Sequence, residues 1–235
     1  MGKLIVYTCV TNGYDAVRRP SSIPGWADWK AFSDADFKDN RRPKLLPHEV
    51  FPEYDYSLWI DGNIDIVSEE FWAEIARLIS EGVLYAGIPH PQRDDVYEES
   101  VRILKNDRAG AKALRHTVRH LIANNLPRHF GLNENSLVLR RHNDPRVVAF
   151  DKLWWEKFCS LCRRDQMTWP LCVLQTALPC SYILPKGSNI REHPWFRYTP
   201  HGKVYKKNLI KDGLRRLKVS LYTGWLERQL KNLHD

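Results

Sequence analysis

The chain has 235 residues, 43% of them hydrophobic, five Cys and a formal net charge of +8. That length accommodates one large domain, or a domain with a tail, whose core needs no disulfide or metal staple, and an odd Cys count fits a reducing compartment. The opening MGKLIVYTCV is too short an apolar run for a signal peptide or a membrane span, and no later segment is long enough to span. A cytoplasmic protein is therefore expected, free or peripheral on the inner face of the cell membrane.

The apolar run at 4–9 ends at Asn12-Gly13 and predicts a buried strand. Residues 20–29, with Pro20, Pro24 and Gly25, read as a loop, 30–33 as a second short strand and 44–51 as a short helix after Pro43. Residues 57–67 give the clearest strand, with Asp61-Gly62-Asn63 in its middle or at its end. Ser68-Glu69-Glu70 is an N-cap signature for a helix running to about Ile79 and stopping before Gly82. A strand at 83–88, two helical pieces within 94–123, a strand at 136–140, helices at 151–162 and 165–178 and a strand at 181–184 follow. Strands alternating with helices predict an α/β fold, a mixed, mostly parallel sheet flanked by helices.

Between residues 203 and 235 there are nine Lys/Arg and three Asp/Glu, so most of the net charge lies there. We therefore expect a domain over 1–202 and a basic helical tail over 203–235. Leu214, Leu217, Leu221 and Trp225 recur at helical spacing with Arg215, Arg216 and Lys218 between them. Such a helix either lies on an anionic membrane surface or packs on the domain with a solvated basic face. No nucleic-acid-binding motif accompanies the basic residues.

In open α/β sheets ligands bind beyond the carboxyl ends of the strands. The polar residues that follow apolar runs here include Thr11, Tyr14, Asp34, Asp61, Asn63 and His90. In extended chain Asp61, Asn63 and Asp65 share one face, and two carboxylates with an amide oxygen suit Mg²⁺ or Mn²⁺. Gly62 lets the backbone approach a phosphate. The same tripeptide also reads as an ordinary turn. Arg41, Lys44 and His48 precede this strand and could pair with a diphosphate. His90, Arg93, Tyr97 and Glu98 form a second polar cluster, for a donor or acceptor sugar or for an Arg93–Glu98 ion pair. Trp155, beside Trp154, is a candidate sugar platform.

The strings RRPKLLPHEVFPEYDYSLWIDGNIDI, HPQRDDVYEE, GLNENSLVLRRHN and WWEKFCSLCRRDQMTWP resemble, in that order, a glycosyltransferase-like family of plant mucilage and cell-wall proteins and bacterial polysaccharide clusters. The resemblance spans roughly residues 3–185 and implies a GT-A-like nucleotide-diphospho-sugar transferase fold. It implies that Asp61-Gly62-Asn63 replaces the metal-chelating Asp-x-Asp, Asn63 standing where many such enzymes have a second carboxylate. Thr8, Tyr14 and Asp34 resemble nucleoside-contacting positions. By similarity to glycogenin-type transferases, Asp165 and Gln166 address the donor sugar and His193 or His201, the former preferred, completes the metal site; Asp165 also reads as a helix N-cap.

What the resemblance implies is transfer of a sugar from a nucleoside-diphosphate sugar to a glycan or lipid-linked glycan acceptor in surface polysaccharide (capsule or lipopolysaccharide) synthesis. Mn²⁺ or Mg²⁺ is the expected cofactor, and retention of configuration follows by analogy. Two other readings stay open: a hydrolase using the same carboxylates, and a non-catalytic glycan-binding module.

Overall fold

The computed structural model describes residues 2–13, 15, 17–200 and 209–231, with side chains in the last stretch from 213 onward. Its centre is a six-stranded sheet in the order β2-β1-β3-β6-β5-β7. The strands are β1 (Leu4–Cys9), β2 (Ala27–Phe32), β3 (Tyr56–Ile60), β5 (Tyr85–Pro89), β6 (Asn133–Arg140) and β7 (Cys180–Tyr182). A separate antiparallel ribbon pairs β4 (Ile64–Ile66) with β8 (Phe196–Tyr198). In the main sheet β6 alone is antiparallel to its neighbours β3 and β5; the pairs β1–β2, β1–β3 and β5–β7 are parallel. The expected mixed, mostly parallel sheet is thus present.

Every residue of β1, β3 and β5 is buried, as expected of strands covered on both faces. Alternation then sends successive side chains to two cores. Leu4, Val6, Leu58 and Ile60 pack with Phe71, Ile75 and Leu78 of α3 (Glu69–Ser80). Ile5, Tyr7 and Trp59 pack with Phe150, Trp154, Trp169 and Cys172 of α6 (Pro145–Ser160) and α7 (Asp165–Thr176). A third cluster joins α4 (Val96–Lys105), α5 (Ala111–Ala123) and the C-terminal helix α8 (Leu209–Leu230), which contributes Tyr222, Trp225 and Leu226.

α3 starts where the N-cap signature places it: the Ser68 hydroxyl accepts from Glu70 N–H at 3.1 Å. Other boundaries differ from the sequence reading for local reasons. Residues 27–29 belong to β2 because parallel pairing with β1 begins at Leu4↔Ala27, whatever the loop composition upstream. The helix expected at 44–51 is two short ones, α1 (Arg41–Leu45) and α2 (Pro47–Val50), separated at Leu46 by the φ of −125° that precedes Pro47. β6 begins at Asn133 rather than 136, and α6 at Pro145, capped by the Asp144 carboxylate. Most consequential for the site, the strand expected over 57–67 breaks at Asp61–Asn63, where Ile64 N–H closes a turn on Asp61 O at 3.0 Å.

This topology sends the carboxyl ends of β1, β2, β3, β5 and β7 and the amino end of β6 to one edge of the sheet. Among the described residues no helix is long and apolar enough to cross a membrane.

Candidate active site at the carboxyl edge of the sheet

The centre of that edge is a buried charge cluster. Lys44, 1% exposed, extends from α1 so that Nζ lies 2.9 Å from Asp165 Oδ2 and 3.4 Å from Asp61 Oδ1. The indole N–H of Trp59 donates to the same Asp61 Oδ1 at 2.7 Å, and the ammonium sits 5.3 Å from the Trp59 ring centre. Arg41 Nε reaches Asp165 Oδ2 at 3.6 Å. Burial opposes ionisation of Asp165, but the positive charges of Lys44, Arg41 and Arg164 outweigh it and hold the carboxyl well below the usual range. Asp165 is not the helix cap its sequence context suggests. It is the first residue of α7, Arg164 occupies the N-cap without a side-chain bond, and of the Asp165 carboxylate Oδ2 goes to Lys44 while Oδ1 accepts the neighbouring Gln166 N–H at 3.1 Å.

α1 is fixed from below by a second buried group. Arg140 on β6 pairs with Asp151 of α6 at 2.7 Å, both side chains fully buried, and donates to the Lys44 carbonyl. The Tyr7 hydroxyl donates to Pro43 O at 3.0 Å. Trp154 Nε1 donates to Asp165 O at 3.0 Å and so holds the start of α7. Lys44 and Asp165 are thus each set by core residues on their own backbones, the arrangement that keeps functional side chains in one geometry.

Gly62 follows in the turn. A Cβ there would lie 2.6 Å from Val10 Cγ2, just beyond β1, and 3.8 Å from Thr8 Oγ1, so any larger residue forces Val10 or the turn to shift. Thr8 is 1% exposed and its hydroxyl has no hydrogen-bond partner among the described residues. Asp34, at the end of β2, accepts Asn12 N–H on both oxygens, at 3.0 and 2.9 Å, tying the ends of β1 and β2 together. Tyr14 and His201 lie outside the described residues.

The start of β6 adds residues the sequence reading missed. Asp61 N–H donates to Ser136 O at 2.8 Å, which brings the segment 133–135 beside the turn. Burial, the largest influence, and the negative charge of Asp61 raise the carboxyl pKa of Glu134, while Arg191, at 3.3 Å, lowers it. Gln166 Nε2 donates to Asn133 O at 3.0 Å. Asn135, 6% exposed, has neither amide atom hydrogen-bonded within the described residues. The sequence signal for these residues is GLNENS, a polar run just before the apolar LVLR.

Other expected contacts fall elsewhere. Asp65 does not share a face with Asp61: the turn rotates it away, and it accepts from Ser21 N–H and Oγ, both at 2.7 Å. His193 packs edge-on against Trp195 and at a tilt against Phe196, with Phe196 opposite Ile66, whereas Asn63 O accepts from Thr199 N–H at the other end of the β4–β8 ribbon. The structure therefore does not bring His193 to Asn63. His48 is half-buried on α2, and the charges acting on it are Glu49, Lys152 and Arg140 rather than the Asp61 cluster. Trp155 lies on Phe158 of its own helix, ring centres 5.7 Å apart.

Of the second polar cluster only His90 and Arg93 meet, the buried Tyr97 hydroxyl donating instead to Leu126 O at 2.6 Å. Arg93 binds Glu99 at 2.6 Å, not Glu98, because Glu99 is the residue α4 turns inward. His90 Nδ1 accepts from Arg93 N–H at 3.0 Å, and burial, with Arg93 and Arg191 nearby, pushes its pKa down to about 4. Glu98 instead faces Arg128 at 3.5 Å. Among the described residues, the His/Asp/Glu/Cys trio close enough to hold a metal is Asp95, Glu98 and His129, their ligand atoms within 4.8 Å. Arg128 already donates to Asp95 at 2.8 Å there, so a guanidinium supplies the positive charge.

The strand ends of a mixed α/β sheet thus gather a glycine turn, a buried Lys–carboxylate cluster, the unsatisfied Thr8 hydroxyl and the unsatisfied Asn135 amide at the edge where such sheets bind ligands. The comparison with known families is more specific. Residues 28–181 match the model described as TOD1/MUCI70, glycosyltransferase-like domain, and the chain belongs to that family. A curated relative, the probable hexosyltransferase MUCI70 of Arabidopsis thaliana, is 27% identical over 148 residues, covering 56% of this chain. The chain spans a quarter (25%) of that relative's length. No solved structure matches.

Proposed function

We propose that the chain is a GT-A-like hexosyltransferase that moves a sugar from a nucleoside-diphosphate donor to a glycan acceptor, as part of surface polysaccharide synthesis in the cytoplasm. The observation that carries this reading is the Asp61–Lys44–Asp165 cluster beside Gly62, at the edge where such sheets bind ligands. Gly62 and the buried Thr8 hydroxyl pack the turn close against the end of β1, and Asp34 shapes the nucleoside end.

A divalent cation is consistent with the donor set. The carboxylates of Asp61 and Asp165 are balanced by Lys44 and Arg41, so an incoming diphosphate brings uncompensated negative charge. Asp61 and Asn63 are the residues to hold Mn²⁺ or Mg²⁺ with the phosphates, and such an ion supplies charge neutralisation to the leaving diphosphate. Among the described residues the two contacts on the Asp61 carboxylate both fall on Oδ1. Asp165, 4% exposed, acts through Lys44 by fixing its ammonium rather than by touching the sugar. Gln166 and Glu134 are the more open polar groups beside the turn. Glu134, with its raised carboxyl pKa, is suited to take the proton of an acceptor hydroxyl. His90, Arg93 and Glu99 form the neighbouring wall for a sugar.

The test is product analysis with a panel of UDP- and GDP-hexoses, Mn²⁺ and oligosaccharide acceptors. A transferase gives an extended glycan plus nucleoside diphosphate. Cleavage of glycans without any nucleotide sugar would instead establish a hydrolase, and glycan binding without nucleotide affinity a binding module.

A further inference from the structure

The C-terminal helix carries two apolar surfaces, and the sheet domain uses only one. Tyr222, Trp225 and Leu226 are buried against α4 and α5. Leu214, Leu217 and Leu221 are 56%, 58% and 61% exposed, the most open of the large hydrophobic side chains described. At 100° per residue these three leucines fall within an arc of about 60°, forming one ridge along α8. Their sequence spacing to Trp225 suggests a single stripe, but the fold divides it: Trp225 is covered and the leucines are not.

What borders the ridge is positive. Trp225, one turn beyond Leu221, lies under the guanidinium groups of Arg115 and Arg119, 5.4 and 5.5 Å from its ring centre. Both arginines come from α5, AKALRHTVRHLIA, which has no Asp or Glu. On α8, Arg216 and Lys218 are exposed beside the leucines, and between residues 213 and 231 the single acid is Glu227. An apolar ridge flanked by cations on two helices disfavours self-association, because two copies would bring like charges together. It matches an anionic lipid surface, where leucines enter the acyl boundary and Lys/Arg meet the headgroups.

We infer that the α5–α8 face is a docking surface for an anionic membrane, with Leu214, Leu217 and Leu221 as the inserting ridge. The inference is independent of the proposed transferase chemistry, since none of these residues belongs to the candidate active site.

The experiment is co-sedimentation of the intact chain with phosphatidylcholine vesicles, with and without phosphatidylglycerol, alongside light scattering without lipid. The comparison variants are L217D/L221D, altered only at exposed positions, and R119E. Binding to the anionic vesicles alone is expected, reduced about tenfold or more by L217D/L221D and weakened several-fold by R119E, with the circular dichroism spectrum unchanged. Absence of sedimentation with either vesicle, or sedimentation that L217D/L221D leaves intact, overturns the inference. A lipid-free dimer that L217D/L221D dissolves also overturns it, assigning the ridge to a second copy.

Discussion

Lys44 is the residue on which the site's electrostatics turn. A buried ammonium is costly unless paired, and here it is paired twice, with Asp165 and Asp61. Removing it leaves Asp165, with a side chain 6% exposed, without its nearest countercharge. Lys44→Met should therefore lower stability by about 3 kcal/mol or more in urea unfolding, and adding Asp165→Leu should recover part of that loss. A double variant no better than the single one would show that the pair is not the source of the cost. Lys44 and Asp61 were legible as candidates beside an apolar run, and Asp165 through the similarity to glycogenin-type transferases. Their mutual contact was not: residues separated by long stretches of chain meet only through the packing of α1 and α7 on the sheet. Glu134 and Asn135 were overlooked for a different reason, since only an antiparallel β6 brings the start of that strand to the edge where parallel strands finish.

At the level of elements, the β3–β4 turn decides which acidic residues can act together. Period-two reasoning placed Asp61, Asn63 and Asp65 on one face; the turn closed by Ile64 N–H on Asp61 O breaks that period. Asp-Gly and Gly-Asn are strong turn dipeptides, and that local preference prevailed over the apolar run that surrounds them. The turn also presses Gly62 against Val10 of the loop after β1. Gly62→Ala must move one of them, at a cost of about 1–3 kcal/mol. Thermal unfolding should show the loss, and Val10→Ala introduced with Gly62→Ala should restore part of it by clearing the space the new methyl needs. Equal stability of Gly62→Ala and the parent would mean the contact is soft. The α3 cap, the division of 94–123 into two helices and the central strands were legible because their signals are local. β8 and the early start of β2 were not, since both exist through pairing with distant chain.

Across the whole molecule, buried histidines couple the fold to pH. Burial pushes His90 and His142, the latter fully buried just after β6 with Nε2 2.8 Å from Phe51 O, down to about 4, against an unfolded value of about 6.5. Between those values the unfolded chain binds more protons, so this contribution to stability is complete above about pH 6.5 and is lost as pH falls toward 4. Glu134 and Asp151, whose carboxyl pKa values burial raises, pull in the opposite direction. The histidine share is therefore read by difference: on acidification from about pH 6.5 to 5, the Tm of His142→Asn should fall less than that of the parent. Parallel curves would place His142 in contact with solvent.

The nucleotide-sugar reading itself is tested most directly by calorimetric titration of the intact chain and of Asp61→Ala with UDP, GDP and their hexose conjugates, with and without Mn²⁺. The structure leads us to expect saturable binding of one nucleoside diphosphate, strengthened by Mn²⁺ and weakened about tenfold or more by Asp61→Ala. Binding of none of them, or binding that Asp61→Ala leaves unchanged, would contradict a donor site at the end of β3.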